Sequence, residues 1–98
     1  MKKNFSNADI KRVIVGIPRG HTHIRTLLET SSGERFLFQE ATIANIVRAY
    51  TTIKTHPQKM AVELVCAELD AKKAPYAKFQ LLETEKSEES LIEELTLL

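Results

Sequence analysis

The sequence predicts an α+β fold: a mostly antiparallel sheet built on a three-stranded meander, a helix at about residues 41–55, a β-hairpin and a short C-terminal helix. Three observations predict it. Alternating Val- and Ile-rich runs between residues 10 and 39 are broken twice by short glycine-containing turns. Ile43, Ile46, Val47, Tyr50 and Ile53 recur at three- and four-residue spacing. Near the end, a serine at 87 precedes glutamates and then a leucine-rich stripe, the pattern of a capped amphipathic helix.

Residues 1–8 carry no periodicity and read as frayed. Ile10 to Ile17 is the first strand, with Val13, Val15 and Ile17 on one side and Ile10 and Ile14 on the other. It is therefore apolar on both faces. Pro18-Arg19-Gly20 supplies turn chemistry, because proline presets φ and glycine accepts the left-handed conformation. Thr22 to Thr30 reads as the second strand, Ser31-Ser32-Gly33 as a second turn, and Glu34 to Gln39 as the third strand.

The second turn fixes a register. A three-residue loop with Gly33 left-handed sets Leu28 opposite Phe36, Thr26 opposite Phe38 and Glu29 opposite Arg35. Ile24, Leu28, Phe36 and Phe38 then share one face. His23, Arg25, Leu27, Glu29, Arg35, Leu37 and Gln39 share the other. A two-residue loop would scatter the apolar side chains over both faces, which is costly where one face is buried.

The helix that follows ends at His56-Pro57, since the residue before proline is pushed out of the helical region. Its apolar stripe suits the Phe36/Phe38 face. The run KMAVELVCAEL over 59–69 is ambiguous. Its propensities favour a helix, but its apolar side chains spread around a helical wheel, whereas extended they form a strand covered on both faces. A strand is expected. DAKKAP is then a loop, and YAKFQLLE over 76–83 the last strand. Residues 84–98 form an acidic amphipathic tail whose helix exposes Leu91, Ile92 and Leu95 as a candidate contact.

Ninety-eight residues suit a single domain spanning 1–98. Apolar and charged contents of 43% and 28% match ordinary globular chains. The lone cysteine, Cys66, excludes an internal disulfide framework and a cysteine-rich zinc site. No apolar run approaches the ~18 residues that cross a bilayer, and MKKNFSNADIK has no apolar stretch behind its lysines. A cytoplasmic protein with no membrane partner is expected. Net charge of +1 conceals an asymmetry: residues 1–58 hold nine Lys/Arg against four Asp/Glu, and residues 59–98 five against nine. Opposite-sign ends can attract within a chain or between copies.

The stretch VGIPRGHTHIR invites a phosphate-binding or metal reading. Phosphate cradles need consecutive backbone N–H groups opening a helix. Here Pro18 removes a donor and strand residues follow, so a hairpin turn is the better account. His21 and His23 lack the third and fourth ligands that zinc needs, and no metal or cofactor is expected. Cys66 lies in an apolar run, where a free cysteine usually acts as a small buried hydrophobe. The glutamate pairs at 88–89 and 93–94 read as a solvated helix face, and no enzymatic centre is expected.

The informative feature is the second face of the meander: His23, Arg25, Arg35 and Gln39 with Leu27 and Leu37 between them and Arg19 at the rim. An exposed apolar patch with a charged rim marks an interface. The expectation is a small protein-interaction or self-associating module, forming a homodimer or binding a protein partner. A C-terminal helix folded back over its own sheet is the monomeric alternative. A single-stranded nucleic-acid-binding sheet is the rival function, favoured by the basic half. A lack of aromatics on that face and a pI of 7.9 weigh against it.

Overall fold

A computed structural model describes residues 3–70 and 78–98. The architecture is α+β, with two antiparallel sheets and two helices. Contacts divide the chain into two compact units, Met1–Ala44 and Asn45–Leu98.

In the first unit β1 (Ile10–Gly16), β2 (Arg25–Thr30) and β3 (Arg35–Gln39) form the meander in the order β1-β2-β3. The β2–β3 register follows the three-residue turn: Leu28 lies opposite Phe36, Thr26 opposite Phe38 and Glu29 opposite Arg35. Gly33 takes a φ of 93°, a region closed to most side chains. Its N–H donates to the Thr30 carbonyl at 3.0 Å, and the Thr30 N–H donates to the Glu34 carbonyl at 2.9 Å. The β2–β3 turn forms as its sequence dictates.

The β1–β2 connection departs from expectation. β2 begins at Arg25 rather than Thr22, so residues 17–24 form a long loop. Gly20 is left-handed at a φ of 80°, and the His21 N–H closes a turn on the Pro18 carbonyl at 3.0 Å. The Ile24 N–H then donates to the carboxylate of Glu40. That bond holds Ile24 in the loop, outside the strand where the turn signal had placed it.

β1 carries a second departure. Ile10 pairs with Thr30 and Arg12 with Glu29, which leaves Lys11 as an extra residue. This is a β-bulge, two residues opposing one. It turns Ile10 to the side of Val13 and Val15, whereas strict alternation had placed it with Ile14. Before the strand, Asn7–Asp9 makes one 3₁₀ turn, and the Asp9 carboxylate accepts from the Ser6 N–H and hydroxyl. Those hydrogen bonds hold the Asp9 carboxyl below its ordinary range. Phe5 meets Phe36 edge-on at 6.2 Å, and Lys3 pairs with Glu34 at 3.1 Å. The N-terminal segment thereby lies against the Phe36 side of the meander.

α1 (Glu40–Thr55) follows β3 without a loop, and none of its residues is buried. In the second unit β4 (Leu64–Glu68) and β5 (Phe79–Glu83) form a two-stranded sheet, with Cys66 opposite Leu81. The strand reading holds, but β4 starts at Leu64 rather than near Met60. The Lys59 N–H closes a turn on the His56 carbonyl, and the Met60 N–H donates to the Glu88 carboxylate at 3.2 Å. The Lys59 and Met60 amides are thus turned away from a ladder, and the backbone reaches the β5 side only at Glu63, whose carbonyl accepts from the Thr84 N–H at 3.0 Å. Val65 and Cys66 are exposed rather than covered on both faces. Most of the expected DAKKAP loop and the first residues of the last strand lie outside the described residues.

α2 (Glu88–Thr96) starts at the Ser87 cap, whose Oγ accepts from the Ser90 N–H. Leu91 is buried, as is Ala61. Lys86 bridges Glu94 at 2.7 Å and Glu63 at 3.9 Å.

Candidate interaction face

Register places side chains, since directly paired residues of neighbouring strands share a face. One face of the meander therefore consists of three rows: Arg12–Glu29–Arg35, Ile14–Leu27–Leu37 and Gly16–Arg25–Gln39. The opposite face holds Val13 with Leu28 and Phe36, and Val15 with Thr26 and Phe38.

The first row is an ion cluster. Glu29, only 8% exposed, accepts from Arg35 Nε at 2.9 Å and from Arg12 Nε at 3.2 Å, with Lys11 Nζ at 3.9 Å. The bulge explains why two consecutive residues, Lys11 and Arg12, reach one carboxylate: both oppose Glu29. The hydrogen bond from Arg35 chiefly holds the Glu29 carboxyl below the usual carboxylate range; burial opposes it, and the charges of Arg12, Arg35 and Lys11 add to the lowering. Both arginines engage Glu29 through Nε, so their Nη groups have no hydrogen-bond acceptor among the described residues.

The second row is apolar and open. Ile14 is 48% exposed and Leu37 56%, with Leu27 half-buried between them. Along β1, Val13 and Val15 are also half-exposed or more, as is Ile17 just beyond it. The third row combines Arg25 and Gln39 with Gly16, beside whose Cα nothing lies within 4 Å of an added Cβ.

Of the residues singled out from sequence, Arg25, Leu27, Arg35, Leu37 and Gln39 share this face. Arg19 and His23 do not belong to its strands. His23 is a loop residue whose Nδ1 lies 3.0 Å from Glu40. Its hydrogen bond, with that of the Ile24 N–H, lowers the Glu40 carboxyl below its ordinary value, against opposition from burial. Three contributors went unread: Lys11 and Arg12, which the bulge delivers, and Glu40, which ties down the loop. Their charge was visible, but not the geometry that gathers them. In the tail, Leu91 is buried, while Ile92 and Leu95 are exposed, Leu95 the more so.

Other features offer less. A cleft of about 230 Å³ in the second unit is lined by Arg48, Thr52, Val62 and Leu81 among others, and its Glu83 is paired with Lys59 at 2.7 Å. Among the described residues, no group of three His, Cys, Asp or Glu is placed to hold a metal ion. No helix of the described residues is long and apolar enough to cross a membrane. No protein-family model matches the chain, and neither does any curated protein or solved structure.

Proposed function

We propose that this protein is a non-enzymatic interaction module that associates with itself through its meander. The observation that carries the reading is the exposure of β1. Val13, Ile14 and Val15 leave 48–63% of their surface open, in a strand paired on one side only among the described residues. Beside them the Ile14–Leu27–Leu37 row is flanked by arginines, the apolar centre and charged rim of an interface. Sedimentation equilibrium from about 1 to 100 μM tests it, a range that spans ordinary weak dimers. A concentration-dependent dimer is the expected result, and a monomer throughout would reject the reading.

A second reading is favoured by the unengaged Nη groups of Arg12 and Arg35, with Arg25 two rows away. Guanidinium groups so placed suit phosphates. The phenylalanines of β3, however, register on the opposite face and offer no stacking platform here. Single-stranded DNA or RNA binding tighter than about 10⁻⁶ M at physiological salt, abolished in an Arg25→Glu/Arg35→Glu variant, would put this reading first.

A further inference from the structure

From the bonding pattern of the meander we infer that two copies join edge to edge along β1, in one register, centred on Ile14. The inference rests on the self-association proposed above and names the surface that performs it.

β1 is the first strand of its sheet and, among the described residues, has a partner on one side only. Which backbone groups face outward follows from the turn. The Thr30 N–H bonds to Glu34 of the β3 side, and ladder bonds alternate along an antiparallel strand. Thr26 and Leu28 therefore bond toward β3, and Arg25, Leu27 and Glu29 toward β1. Their partners Gly16, Ile14 and Arg12 bond inward, which leaves the N–H and carbonyl of Val13 and Val15 directed away from the sheet. The stretch from Val13 to Ile17 contains no charge and no proline, so it lacks the usual devices that blunt an edge.

The occupant that fits is the same strand of a second copy, running antiparallel. With Ile14 opposite Ile14, Val13 of each copy pairs with Val15 of the other. All four outward amide and carbonyl pairs are then matched, giving four backbone hydrogen bonds. The two Ile14–Leu27–Leu37 rows become one continuous apolar row. On the other face Val13 meets Val15. Arg12 stands across from Gly16, whose missing side chain leaves it room.

Charge selects this register over its neighbours. Centred on Ile14, the two Arg12 residues are four positions apart along the strands, roughly 14 Å, beyond the ~10 Å screening length at 0.1 M salt. Centring on Val13 would bring them to about 7 Å and set each against an isoleucine. Centring on Val15 would put Gly16 opposite Ile14 and leave that side chain uncovered.

The test uses the full chain with Cys66, itself exposed, changed to Ser. A directly opposed pair of this type has its Cα atoms about 4.5 Å apart, within disulfide range. Ile14→Cys is therefore expected to give a covalent dimer on mild oxidation, and Leu37→Cys is not. Val15→Pro removes an outward N–H and no bond to β2, so it should keep the fold while weakening the dimer about ten-fold or more. Gly16→Glu, facing Arg12 of the other copy, should tighten the dimer several-fold, and Gly16→Lys should loosen it. A parent chain that stays monomeric overturns the self-association reading and this inference with it. A dimer that ignores Val15→Pro and does not cross-link through Ile14→Cys overturns the edge alone and leaves self-association standing. Should Val15→Pro unfold, the cross-linking result decides.

Discussion

Glu29 faces Lys11, Arg12 and Arg35, and its protonation shapes how the meander responds to acid. Its carboxyl is lowered from an unfolded value near 4.5. A group lowered on folding contributes stability in full above its unfolded value, and loses it as pH falls through the folded one. The contribution of Glu29 should therefore be level above about pH 5 and decline below it. In Glu29→Gln that part of the acid decline is missing, so melting curves of the two chains converge as the pH falls. Curves that stay parallel from pH 6 downward, to about pH 2, would disprove a charge role for Glu29. Gly33 gives a second test. Nothing crowds an added Cβ there, so the cost of Gly33→Ala is the left-handed backbone itself. Chemical denaturation should show a loss of about 1–2 kcal/mol. No loss would mean that the turn relaxes to another type.

Among the elements, α2 depends on its cap. Removing the Ser87 acceptor with Ser87→Ala should cost about 1 kcal/mol, while Ser87→Asp, which keeps an acceptor, should cost little. Thermal unfolding followed by circular dichroism reads both. This helix was legible because its signals are local: the cap, the early glutamates and the leucine stripe lie within twelve residues. The β2–β3 hairpin was legible for the same reason, since Gly33 and the alternation on either side leave one register that gathers the phenylalanines. What escaped was set from a distance. The start of β2 depends on Glu40, sixteen positions from Ile24. The Met60 N–H, expected in the strand, is taken by Glu88, twenty-eight positions away. No local propensity contains those bonds. The bulge was hidden differently: Lys11 and Arg12 are both basic, so a binary pattern cannot say which is the extra residue. Arg25, Leu27, Arg35, Leu37 and Gln39 thus share one face as their alternation implied, while the gathering of Lys11 and Arg12 on Glu29 was not legible.

At the scale of the whole molecule, the charge asymmetry separates two ways of associating. If the basic stretch of one copy docked on the acidic tail of another, salt would weaken the dimer. An edge joint along β1 places two positive clusters in one assembly, so salt should strengthen it. Raising salt from about 0.01 to 0.1 M shortens the screening length from ~30 to ~10 Å, and the dimer should tighten several-fold. Light scattering across that range gives the sign, and weakening would favour the docked tail. The bulge at Lys11 has a consequence for how far such pairing runs. It interrupts the ladder at one end of β1, and the loop beginning at Ile17 ends it at the other, so only a short regular segment can template another chain. Deleting Lys11 would straighten the strand from Ile10 to Gly16 and remove a lysine from its rim. The resulting longer, less charged edge is the kind that seeds fibrils. The deletion variant should form thioflavin-positive aggregates under conditions where the parent chain stays clear. One extra residue would then act as a kinetic brake, holding an otherwise adhesive strand to a single, finite handshake.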